Sequence, residues 1–201
     1  MEVREVPLAD GTVITCRLSG DPSAPAMVLL HALGEQTTSW AEVAPRFATQ
    51  FRVVALDLRG HGASTWPGVY SFPLMRDDVL GVLDAPPPFP RDRPTPARPA
   101  GDLGFDWAVV PAVVEEINDP SLRWWKHLRD ITAPTLLVGG GPTSHIPQEL
   151  LVDVSRAVPD CTLITIPAGH DVHESEPDTF AKTVLKWLGT GSPAPGPGPS
   201  Q

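Results

Sequence analysis

Three short stretches carry residue types that can do chemistry. Leu29-Leu30-His31-Ala32-Leu33-Gly34 closes an apolar run. A loop placed there can turn backbone N–H groups into a cleft, which acyl transfer needs to hold a developing oxyanion. His31 and Gly34 can equally do no more than shape a strand-to-helix turn. Asp57-Leu58-Arg59-Gly60-His61-Gly62-Ala63-Ser64 closes a second apolar run. Its glycines permit a tight turn, Asp57 and Arg59 can cross-link the loop ends, and a structural role is expected. Pro167-Ala168-Gly169-His170 follows the last apolar run. A histidine there can reach the crevice at the carboxyl ends of a parallel sheet, where α/β sites lie, although a lone loop histidine is more often a surface or satisfied residue. His170, His173 and Glu174 do not follow the helical zinc pattern, so no metal is expected, and no cofactor either.

The elements that must position these loops follow from periodicity. Residues 2–7 and 12–18 are short strand candidates joined through Asp10-Gly11, a hairpin turn signal. Residues 26–31, 51–58, 135–139 and 162–166 are apolar runs of the kind buried in a parallel sheet. Helical spacing predicts helices with Trp40, Val43, Ala44 and Phe47 on one face, and then Met75, Val79, Val82 and Leu83, with Ser71 as cap. Two short Trp-bearing helices are predicted over 107–118 and 121–129. A further helix carries Leu150, Val154, Ala157 and Val158, and a last one, over 177–188, turns Phe180, Val184, Leu185 and Leu188 inward. Alternating strands and helices with short loops predict an α/β fold: a mostly parallel sheet with helices on both faces.

Bulk composition narrows the function classes. With 41% hydrophobic and 19% charged residues the chain reads as globular. A formal net charge of -9 disfavours nucleic acid, whose phosphates need a basic face. Cys16 and Cys161 stand far apart without a C-x-x-C pattern, so neither a disulfide framework nor a zinc cage is indicated. No apolar run approaches membrane-spanning length and the first residues form no apolar leader core, so a cytoplasmic protein without a membrane partner is the expectation. The 25 prolines cluster in 85–100 and in the tail, where neither helix nor central strand can form. The expected organisation is a first core part over 1–84, a proline-rich and helical cap-like segment over 85–130, a second core part over 131–189 and a disordered Pro/Gly tail over 190–201. The composition fits a monomer as well as an oligomer.

Taken together, in this order and spacing, the HALG, DLRGHGAS and PAGH stretches resemble the α/β-hydrolase family over residues 3–188. They are similar to its oxyanion loop after the third strand, its loop after the fourth strand and its catalytic-histidine loop. The resemblance implies that Leu33 is an oxyanion donor beside His31, that His170 is the general base and that the substrate is a small ester- or amide-type molecule.

The chain departs from the family pattern at one place. The family's helix matching residues 75–84 leads into a fifth strand, the G-x-S-x-G elbow, a helix and a sixth strand, a unit of about 30 residues or more. Here residues 81–85 run straight into PPPFPRDRP, which resembles the start of the family's cap, and no G-x-S-x-G occurs. The loop after 135–139 has no carboxylate where many family members have Asp. Some relatives place the acid after the sixth strand, and the resemblance then implies Asp84 at the junction as candidate acid, or Asp84 is simply the end of its helix. Ser64, Ser144 and Cys161 are the residual nucleophile candidates, none on an elbow. A histidine without an adjacent hydroxyl or thiol has nothing to activate. A non-catalytic small-molecule-binding pseudoenzyme, with Trp107, Trp124 and Trp125 as pocket or core residues, and an inactive deletion product joined at Asp84-Ala85 are the alternatives to a hydrolase. Without the two strands, 26–31 is expected to pair with 135–139 in a contracted six-stranded sheet.

Overall fold

The computed structural model describes residues 2–84, 105, 106, 108, 109 and 122–190. The chain divides into two compact units, Met1–Pro120 and Ser121–Gln201.

In the first unit, strands β1 (Glu2–Pro7) and β2 (Val13–Ser19) form the expected antiparallel hairpin. The turn between them is closed by the Asp10 carboxylate, which accepts the Thr12 N–H at 2.9 Å. β3 (Ala26–Leu30) and β4 (Arg52–Leu56) complete a sheet of order β1-β2-β4-β3. β2–β4 is antiparallel and β3–β4 parallel, so this sheet is mixed. Side chains alternate across it. Val6, Ile14, Cys16, Leu18 and Leu56 form a core face on which Val79 and Val82 of helix α2 (Phe72–Asp84) pack. Ser71 caps α2 as expected, its Oγ accepting the Leu74 N–H at 3.3 Å. Leu83, expected on the inner face, is instead exposed, because the inward register is set by Met75, Asp78 and Val82. The helix expected around Trp40–Phe47 is split into a 3-10 turn, Thr37–Trp40, and a short α1, Ala44–Phe47. Pro45 is the physical reason: it lacks an N–H and is tolerated only in a first turn, so the helix must restart there.

The second unit contains α3 (Leu122–Arg129), β5 (Thr135–Gly139), α4 (Gln148–Ala157), β6 (Cys161–Thr165), α5 (Val172–Ser175) and α6 (Pro177–Thr190). β5 and β6 pair in parallel, with Thr135 opposite Cys161 and Gly139 opposite Thr165. Helix α4 packs on both strands, with Leu151 against Gly139 of β5, whereas the expected Leu150 is exposed. Leu188 of α6 is likewise exposed, whereas Ala181 is buried.

Among the described residues, β3 pairs with β4 alone and β5 with β6 alone. The six strands therefore form a four-stranded sheet in the first unit and a two-stranded sheet in the second. Of the helix expected over 107–118 only Ala108 and Val109 are described; the rest lies outside the described residues, as do the Trp107 and Trp124 side chains, the 85–100 proline cluster and the tail. No helix of the described residues is long and apolar enough to cross a membrane.

Candidate active site

The loop after β3 is built around His31. Its ring is buried and both nitrogens are engaged: Nε2 accepts the Leu58 N–H at 3.0 Å, so Nδ1 carries the proton and donates to the Ala32 carbonyl at 2.9 Å. Desolvation pushes the His31 imidazole below its usual range. His31 thus stands as a strut between the β3 and β4 loops, and neither ring nitrogen is available to a ligand.

His61 repeats the arrangement from the other side. Its Nε2 accepts the Gly34 N–H at 3.3 Å and its Nδ1 donates to the Arg59 carbonyl at 3.0 Å. The two rings lie 4.8 Å apart, and His61 stacks on Phe105 at 5.7 Å. Burial brings the His61 imidazole down to about 4. The residues between these struts form a tight turn, in which the Glu35 N–H donates to the Ala32 carbonyl at 3.1 Å and Gly34 adopts φ +84°. That φ is the left-handed value a type II turn requires at its third residue, where glycine is favoured. The Ala32 N–H donates to the Glu35 carboxylate at 3.2 Å. Leu33 is 43% exposed, and its N–H is the one in the turn with no hydrogen bond among the described residues.

The loop after β4 is held by buried polar groups. Asp57 accepts the Thr37 N–H at 2.7 Å and the Ala63 N–H at 3.1 Å. Arg59 does not pair with Asp57; it forks onto Asp78 of α2, both bonds at 2.5 Å, and reaches Asp10 at 3.2 Å. The Asp78 carboxylate holds the guanidinium above its usual range. Ser64 is 5% exposed and its hydroxyl is used in both directions, accepting the Thr15 N–H at 2.8 Å and donating to the Asp57 carbonyl. It is a cross-link between β2 and this loop.

In the second unit, the loops after β5 and β6 are stitched at the backbone. The Gly140 carbonyl accepts the Ala168 N–H at 3.2 Å and the Gly169 N–H at 3.0 Å. Only glycine fits at 140, because a Cβ there would overlap the Gly169 carbonyl oxygen. His170 is exposed at the end of the second loop, and the exposed His145 ring from the first loop lies 3.8 Å from it, tilted by 36°. Ser144 is half-buried, its Oγ accepting the Ile146 N–H at 3.3 Å. Cys161 opens β6, and burial, with Asp160 nearby, pushes its thiol up, away from the reactive thiolate. Asp84 is the last residue of α2, and its side chain falls outside the described residues.

Residues 25–88 match the family model described as alpha/beta hydrolase fold, and that match ends just beyond Asp84. A crystal structure of a hydrolase from Pseudomonas aeruginosa PA01 superimposes with a TM-score of 0.77 at 20% identity, covering 94% of this chain and 99% of that one. The chain has the α/β-hydrolase fold. Among curated relatives of this hydrolase-fold chain, a fluoroacetate dehalogenase from Burkholderia sp is 41% identical over 88 residues, 41% of this chain and 28% of the relative. A 3-oxoadipate enol-lactonase from Acinetobacter baylyi is 33% identical over 75 residues, 37% of this chain and 28% of the relative. The chain thus spans less than a third of the length of either.

The loop after β5 thus brings the His145 imidazole against His170. His145 was not singled out from the sequence; its position at the end of a glycine-rich loop after a buried strand was the only signal. His61 was noted only as part of its loop, and its contact with Gly34 could not be inferred from spacing.

Proposed function

We propose that this chain is a non-catalytic relative of the α/β hydrolases, one that binds small organic acids or their esters without covalent turnover. The observation carrying this reading is the Ser64 hydroxyl, buried and engaged both as donor and as acceptor with backbone groups. A covalent hydrolase of the serine or cysteine type needs a hydroxyl or thiol poised against a base. The remaining candidates support the same reading: Ser144 precedes no elbow, Cys161 is held in its thiol form, and the 201 residues contain no G-x-S-x-G. The Leu33 N–H, without a hydrogen bond among the described residues, is the group suited to donate to the oxygen of a carboxylate or carbonyl. The ligand class follows the names of the similar dehalogenase and enol-lactonase, both of which act on small organic acid derivatives.

Intact-mass analysis after exposure to a fluorophosphonate probe, on folded chain, tests the catalytic half. No adduct is expected, and one stoichiometric adduct would overturn the reading and name the nucleophile once mapped. Tryptophan fluorescence during titration with short-chain carboxylates and their esters tests the binding half. A saturable change is expected; a flat response across the panel sinks it.

A further inference from the structure

The four described histidines placed in the loops after β3, β4, β5 and β6 are used in two opposite ways. His31 and His61 are buried with every ring nitrogen bonded to the backbone. His145 and His170 are exposed, and neither ring nitrogen of either forms a hydrogen bond with a described residue.

Their backbones are nonetheless fixed. The Ile166 N–H donates to the Gly139 carbonyl at 2.9 Å, and Gly140 joins the two loops as described above. Around His145, the Ser144 N–H donates to the Gly141 carbonyl at 3.1 Å, and the Gln148 side chain bonds Gly141 and Ile146 at 3.2 and 2.9 Å. The His170 carbonyl accepts the Val172 N–H at 3.0 Å as α5 begins. Two imidazoles are thus held side by side by a frame that leaves their nitrogens to solvent. The ring centroids lie 3.8 Å apart with the planes tilted by 36°, and no hydrogen bond joins the two rings.

Imidazole nitrogen is the protein donor best matched to Cu(II), Ni(II) and Zn(II), and copper binds tightest of the divalent series. Metal–nitrogen bonds of about 2.0–2.1 Å place both rings on one ion once their free edges swing apart, a movement open to exposed side chains. We propose that His145 and His170 form a two-imidazole site for a divalent transition cation, copper(II) above nickel(II) and zinc(II), with water completing the coordination. The site has two protein ligands and is therefore exchangeable. A bound cation takes the nitrogen through which His170 would otherwise act as a base, so cation binding and proton transfer at this residue exclude each other.

The test uses the full chain, stripped with chelator and titrated with copper(II) in a weakly coordinating buffer. One equivalent is expected to bind with a paramagnetic resonance spectrum showing two imidazole nitrogens. His145→Ala and His170→Ala should each weaken binding at least tenfold and leave one such nitrogen. His127→Ala, on the exposed face of α3, should change neither. Equal affinity in wild type and in the doubly substituted chain overturns the site, as does equal weakening by His127→Ala. Carbethoxylation of histidines, mapped by peptide mass, gives a measurement that needs no variant. Copper(II) should protect His145 and His170 together and leave His127 reactive; no protection of the pair overturns the proposal.

Discussion

His61 accepts the Gly34 N–H at 3.3 Å, a contact between residues 27 apart in sequence. Through it the shape of the Ala32–Glu35 turn depends on a neutral imidazole from the next loop. The same ring holds its Nδ1 proton on the Arg59 carbonyl, so protonation of Nε2 would set two N–H groups against each other. That relationship ties the conformation of the Leu33 N–H to pH.

Acid should therefore destabilise the first unit. Burial lowers the His61 imidazole from 6.5 to about 4 and lowers His31 in the same direction. A depressed folded pKa means that the unfolded chain takes up the protons first. The stabilisation is fully present above about 6.5 and is lost as pH falls toward 4, on the order of 3 kcal/mol from His61 alone. Urea midpoints measured across that window should fall for the native chain and fall less for His61→Asn. A native profile flat from pH 7 to 4 would count against this account.

Ser64→Ala separates a strut from a nucleophile. The substitution strands the buried Thr15 N–H, at a cost of about 1–3 kcal/mol. The expected outcome is a lower melting temperature with fluorophosphonate labelling absent both before and after. Labelling of the native chain that vanishes in Ser64→Ala would assign Ser64 the opposite role.

Asp78→Ala leaves the Arg59 guanidinium buried with only Asp10, itself half-exposed, as partner. Breaking one side of a buried pair costs roughly 3–5 kcal/mol. Replacing both Arg59 and Asp78 by Met should recover part of that loss, because no charge is then left uncompensated. Chemical denaturation of the three variants reads the difference, and additive losses in the double variant would contradict it.

The two thiols should differ in reactivity. Burial pushes Cys16 up to about 12 and its side chain sits inside the sheet core. Cys161, at the start of β6, is only half-buried. Iodoacetamide at pH 8 should modify Cys161 slowly and Cys16 only after unfolding, as read by peptide mass. Modification of Cys16 in the native chain at the rate of Cys161 would show that the β1–β2 face opens readily.

The sequence by itself determined the elements and the inventory of the site. Period-two and continuous apolar runs located β1 to β6 to within a residue or two, because strand formation depends on local patterning. The three loop motifs and the lack of a G-x-S-x-G were likewise legible in one dimension. Tertiary structure decided what each polar group does. Hydrogen-bond partners lie 19 residues away for Arg59, 27 for His31 and His61 and 49 for Ser64, and no local spacing encodes a partner at that distance. The placement of His145 on His170 depends on the parallel register of β5 and β6. Exposure of Leu83, Leu150 and Leu188 was decided by which helical face met a sheet, a choice that periodicity leaves open by about one residue step. The division of the strands into two sheets also belongs to the third dimension, since an apolar run specifies that a strand is buried but not which neighbour buries it.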